Sequence, residues 1–237
     1  MSREIKQDLL SLFDFIESYS LNEQLDDASY KLFISKLHKK YYSYLTFIVE
    51  LNSVVNNTTF SNPINNTQFS YIQESCSDVG IAFFSSFHGI YKSSKLLLRS
   101  SIETFFKGFC LDEIPDLDKE KSIYELFRKV KTSSFFLNEP QKFIFNSIHN
   151  NYKLLCEDAH TATNNNMENI SALNYFPSFN SQKADAISIF ILNLTPNYLI
   201  LLCLKYNQQY HTFHYKNRII INSSTPKLYR QQINNLV

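Results

Sequence analysis

The chain has 237 residues, 44% hydrophobic and 15% aromatic, enough apolar material for one large packed core or two small ones. With only 3 Gly and 6 Pro there are few tight turns and few element breaks, which argues for long helices over many short strands. A formal net charge of +1 excludes a global pull towards nucleic acid or anionic lipid, so any polyanion site must be a local patch.

The N-terminus, MSREIKQDLL, carries charges straight through its apolar positions, so it is not expected to be a signal peptide. Residues 3–19 then read as a first amphipathic helix, with Leu9, Leu12, Phe13 and Ile16 on one side. Asp26 or Asp27 can cap a second, long helix that runs to about Val55. Midway along it Lys36, His38, Lys39 and Lys40 cluster. Such a cluster reads as a solvated helix face; the alternative is a patch that contacts phosphate. Asn56–Asn66 is a loop by composition, and Gln68–His88 returns to helical spacing, weakened at Gly80 and Gly89.

Tyr91–Asp112 is the most sharply patterned stretch. At 100° per residue, Leu98, Ile102, Phe105 and Phe109 fall in one narrow stripe that should face a core. Lys95, Arg99, Glu103 and Lys107 form a second stripe beside it. Ser93, Ser94, Ser100 and Ser101 flank the apolar stripe and would let another helix approach closely. Ser122–Lys131 is a short helix, and a further one runs from Gln141 to about Thr163. Within it Leu155, Ala159 and Ala162 form an apolar stripe, with Tyr152, Cys156, His160 and Thr163 on the adjoining face. Ala184–Tyr206 is close to the roughly 20 apolar residues of a membrane span. Its polar middle (Asn193, Thr195, Pro196, Asn197), with Asp185 and Lys205, favours a buried, kinked helix, and no membrane is expected as a partner. Arg218–Ile221 is strand-like, and a final helix is expected around Pro226–Asn234.

Chemistry-bearing residues are sparse. Cys76, Cys110, Cys156 and Cys203 are scattered without a C-x-x-C pair, which fits free thiols in a reducing compartment and gives a cytoplasmic expectation. Arg99 and Glu103 stand one turn apart, in the less favourable order for a helix ion pair, worth only tenths of a kcal/mol when exposed. They read either as interface charges or as half of a site. His160, at the edge of a buried face, reads as a hydrogen-bonded structural residue or as a general acid or base, with Glu157 its better-placed carboxylate partner. His149 and His160 lie roughly 16 Å apart along a helix and cannot share a metal. No carboxylate or cysteine stands near His211 and His214 in sequence, so no metal site and no cofactor are expected. Nucleotide-triphosphatase, serine-hydrolase and zincin motifs are all missing.

Leu98-Arg99-Ser100-Ser101-Ile102-Glu103 matches an L-R-S-x-x-E pattern, and Tyr152, Leu155 and His160 match Y-x-x-L-x-x-x-x-H. Both patterns occur in HEPN-type all-helical families, which the chain resembles over residues 68–163. The resemblance implies an all-α helical bundle: one domain over 1–237, a HEPN-like core over 68–163 and a C-terminal helical extension over 184–237. It also implies an effector of a toxin or phage-defence system, acting as a homodimer or in a defence complex, with RNA or a protein as partner. A metal-independent endoribonuclease would use Arg99, Glu103, Glu157 and His160, with Lys95, Tyr152 and Lys153 binding. A catalytically silent binding or assembly module is the other reading. The nuclease members place an Arg four to six residues before a His. No His here has one, so Arg99 would supply the cation from another helix.

Overall fold

A computed structural model of the chain describes residues 26–159 and 175–235. The helix expected over 3–19 lies outside these residues, as do His160 and the rest of the helix expected to run to about Thr163. Among the described residues there are nine α-helices and no strand, so the fold is all-α.

Local chemistry sets the first boundaries. Helix α1 (Ala28–Asn52) begins at Asp27, whose carboxylate accepts the Ser29 amide at 2.7 Å. Helix α2 (Asn66–Phe87) opens with a capping box in which Asn65 and Gln68 each accept the other's backbone N–H. The chain does not run unbroken into the next helix. Gly89 adopts φ +84°, and a Cβ there would lie 1.9 Å from the Ser178 carbonyl oxygen.

Helix α3 (Tyr91–Cys110) follows this break. Leu98, Ile102, Phe105 and Phe109 are fully buried, and Lys95, Arg99, Glu103 and Lys107 are half-buried along the rim, as the spacing requires. Small residues bring α2 and α3 together: Ser94 Oγ donates to the Ala82 carbonyl and Ser75 Oγ to the Ser101 carbonyl, both at 2.8 Å. The remaining helices are α4 (Ile123–Lys131), α5 (Gln141–Ala159), α6 (Ser181–Lys205), α7 (Asn207–Thr212), α8 (Tyr215–Ser224) and α9 (Lys227–Asn235).

Helix α6 packs against α1, α2, α3 and α5. Among the described residues it is the one helix long and apolar enough to cross a membrane, yet 78% of that stretch is buried inside the bundle. Tyr198 on α6 stacks on Phe105 with ring centres 4.2 Å apart, and its hydroxyl meets Ser101 Oγ at 3.2 Å. Tyr44 on α1 donates to Ser75 Oγ at 3.3 Å. The core therefore contains a polar thread through α1, α2, α3 and α6, each member satisfied by the next. All four cysteines are free thiols; Cys76, Cys110 and Cys203 are buried.

The strand expected over Arg218–Ile221 is instead the middle of α8. Its isoleucine run is only three residues long, and packing against α1 overrides its β-propensity. The inward residues are spaced for a helix: Ile221 and Ser224 are buried, and Asn217 Nδ2 donates to Glu50 Oε1. Ile219 is left exposed.

The α2–α3 approach gives a stability test. A Cβ on Gly108 would stand 2.7 Å from the Gln68 carbonyl oxygen, a backbone atom that cannot swing aside. Overpacking of this kind costs about 1–3 kcal/mol, more than the roughly 1 kcal/mol that Ala gains over Gly inside a helix. Gly108→Ala should therefore lower the urea midpoint. Gly80→Ala, which meets only the Tyr41 side chain, should lower it less.

Candidate functional site

Helices α3 and α5 pack side by side, and the contact joins the two stretches singled out in the sequence. Arg99 and Glu103 retain 29% and 26% side-chain exposure on the rim of α3. Tyr152, on α5 and 6% exposed, places its hydroxyl between them. The hydroxyl accepts from Arg99 Nε at 3.0 Å and donates to Glu103 Oε1 at 2.9 Å. The direct Arg99–Glu103 contact is longer, at 3.4 Å. The guanidinium carbon also lies 5.4 Å from the Tyr152 ring centre.

This arrangement fixes the protonation states. Burial raises the Tyr152 phenol's pKa well above its usual value; the Arg99 hydrogen bond pulls the other way, and the Glu103 charge adds to the rise. Partial burial opposes the Arg99 charge, but the Tyr152 hydrogen bond and the neighbouring Tyr152, Cys156 and Glu103 outweigh it, so its pKa rises. At neutral pH the tyrosine is a donor and the arginine a cation. Neither is a proton acceptor.

Asp78 on α2 lies near the same rim. It is 5% exposed, and its Oδ2 has no hydrogen-bond partner. Burial raises its pKa, a Ser100 hydrogen bond opposes the rise, and the charges of Glu74 and Glu103 add to it.

Tyr152 also lines a groove of about 830 Å³ between α4 and α5. Helix α4 contributes Tyr124, Phe127, Arg128 and Lys131; α5 contributes Asn146, His149, Asn150, Lys153 and Cys156. Among the described residues no carboxylate lines it. Arg128 is steadied from outside the lining by Glu125, at 2.6 Å. The His149 ring stacks on Phe127 with centres 4.3 Å apart. Burial lowers its pKa, and the nearby Lys153 and Lys131 lower it further, so His149 is neutral at pH 7.

Of the residues expected to form a site, Arg99, Glu103 and Tyr152 are brought together. Lys153 is exposed at the groove, and Lys95 sits half-buried on the α3 rim outside the groove lining. Glu157 is exposed on α5, and His160 lies outside the described residues. Tyr124, Arg128, Lys131, Asn146, His149 and Asn150 were not singled out as groove residues. The signal for the α4 set was nonetheless present: Tyr124, Phe127, Arg128 and Lys131 stand at i, i+3, i+4 and i+7, one helix face. Among the described residues no group of three or more His, Cys, Asp or Glu could hold a metal ion. His211 Nε2 stands 3.4 Å from the Ile233 carbonyl.

Comparison with protein-family models, curated proteins and solved structures finds no significant match.

Two measurements test the electrostatics. Tyr152→Phe removes one hydroxyl that serves both charges. Hydrogen bonds to charged groups are worth about 1.5–3 kcal/mol when buried, and solvent access discounts this to about 1–2 kcal/mol of stability in urea. The raised Asp78 pKa means the folded state holds its proton more tightly than the unfolded state does. Asp78 therefore costs stability at neutral pH, and the cost fades as pH falls through the folded pKa. Asp78→Asn should be more stable than the parent at pH 7, with the gap narrowing towards pH 4.

Proposed function

We propose that the protein is a HEPN-like helical module that binds single-stranded RNA through the α4–α5 groove, in a toxin or phage-defence setting. The groove lining supports this reading most directly: Arg128, Lys131 and Lys153 with Tyr124, Phe127 and Tyr152, and no carboxylate among the described residues. Single-stranded nucleic acid is held by cations that track the phosphates and by aromatic faces that stack bases. Tyr124 is 76% exposed and so presents such a face. The Asn146 and Asn150 amides offer donors and acceptors to base edges. The volume falls within the few-hundred to 1,000 Å³ range of ligand clefts. With a net charge of only +1, the attraction must come from this local cluster.

A second reading, metal-independent endoribonuclease activity, draws on the position of Arg99. Its side chain is 29% exposed and hydrogen-bonded to the groove-lining Tyr152. In that reading Arg99 stabilises phosphate charge, His160 moves the proton, and Glu103 or Glu157 orients them.

Anisotropy of a labelled single-stranded RNA across a salt series tests binding. Three phosphate contacts imply a log K against log salt slope of about −2, at about −0.7 per contact. Lys131→Gln with Lys153→Gln should weaken binding at least tenfold and flatten the slope by about 1.4. Tyr124→Ala should cost about 1–3 kcal/mol of affinity. Affinity unchanged in both variants would remove the groove from consideration. For the second reading, RNA is incubated with the protein in chelator. Cleavage that persists equally in Arg99→Ala and His160→Ala rules out that assignment of roles.

A further inference from the structure

The basic cluster on α1 is not uniform. Lys36, His38 and Lys39 are exposed, whereas Lys40 is half-buried and lines a separate hollow of about 380 Å³. The hollow lies between α1, α6 and the corner where α8 gives way to α9, and shares no lining residue with the α4–α5 groove.

We propose that this hollow binds a phosphate-type oxyanion, either free or as the phosphoryl group of a small monoester, held by Lys40 and Arg230. Both cations point to it for the same reason: neither has a carboxylate partner among the described residues. Lys40 Nζ donates to the Ser224 carbonyl at 3.0 Å, and Arg230 Nε to the Thr225 carbonyl at 2.7 Å. The terminal guanidinium nitrogens of Arg230 make no hydrogen bond to the described residues. Burial lowers the pKa of Lys40, and the like charges of Lys39 and Arg230 lower it further.

Three other cations of the bundle, by contrast, each have a carboxylate partner. Lys205 has Asp112 at 2.6 Å, Lys129 has Glu120 at 2.7 Å, and Arg128 has Glu125 at 2.6 Å. Two converging cations without a counter-ion repel one another, and an anion between them removes that cost. The remaining lining suits an oxyanion on a carbon stem. Ser223, Ser224 and Thr225 spend their hydroxyl protons on nearby groups, so the donors on offer are the Lys40 ammonium, the Arg230 fork and the Asn193 amide. Leu192, Pro196 and Pro226 supply an apolar wall for the organic part. A fork-shaped guanidinium matches the spacing of phosphoryl oxygens.

Titration calorimetry and thermal unfolding of the full chain test this with inorganic phosphate, glycerol phosphate and, at matched ionic strength, chloride. Phosphate should bind and raise the unfolding temperature where chloride does not. Lys40→Met, which keeps the apolar stem, and Arg230→Gln, on the outer helix α9, should each weaken binding at least tenfold while circular dichroism shows the fold retained. Arg230→Lys should recover part of the loss. Tighter binding of glycerol phosphate assigns the site to a monoester, and equal affinity assigns it to the free oxyanion. The groove variant with Lys131→Gln and Lys153→Gln should bind phosphate as the parent does, whatever its affinity for RNA. No difference between phosphate and chloride, or equal phosphate affinity in the folded Lys40 and Arg230 variants, overturns the proposal.

Discussion

The close approach of α2 and α3 is the constraint on which the rest of the bundle depends. Ser75, Ser94, Ser101 and Gly108 keep the interface thin, and hydroxyls at Ser75 and Ser94 bond across it to the facing backbone. This closeness settles which way α3 faces. With α2 on one flank, the Leu98–Ile102–Phe105–Phe109 stripe must meet α6, and Phe105 does so by stacking on Tyr198. The charged rim is left facing α5. A bulkier residue at Gly108 would push α2 outwards and disturb both consequences together.

The rim shows how a weak local interaction becomes a tertiary one. An Arg–Glu pair one turn apart on a helix contributes little by itself. Here Tyr152 enters from α5 and takes one hydrogen bond from each charge. A helix–helix contact is thereby made specific in rotation as well as distance, because the phenol must arrive with its oxygen between the two groups. The other side of the same tyrosine forms part of the α4–α5 groove. The packing device and the candidate ligand surface therefore share a residue, and changes to one are felt by the other.

Much of this was legible in the chain because it rests on periodicity. The inward stripe of α3, the cap at Asp27, the start of α4 after Ser122 and the burial of α6 all follow from spacing and end chemistry within one segment. Arg99, Glu103 and Tyr152 could be named, but their joint geometry could not, since it depends on how α3 and α5 rotate against each other. The groove was harder still, because α4 and α5 each contribute only part of it. The Ile219–Ile221 run misled for a related reason: β-propensity is local, while the helix there is set by what Ile221 and Ser224 meet on α1.

Pro196 gives the hollow beside α6 a further property. Having no N–H, it cannot donate to the carbonyl of Leu192 one turn earlier, so that oxygen lacks its usual intrahelical donor. Leu192 and Pro196 line the same space as Lys40 and Arg230. The residue that costs the core helix one hydrogen bond therefore also builds a wall of the hollow, so that replacing it would restore the backbone ladder and reshape the cavity in the same step.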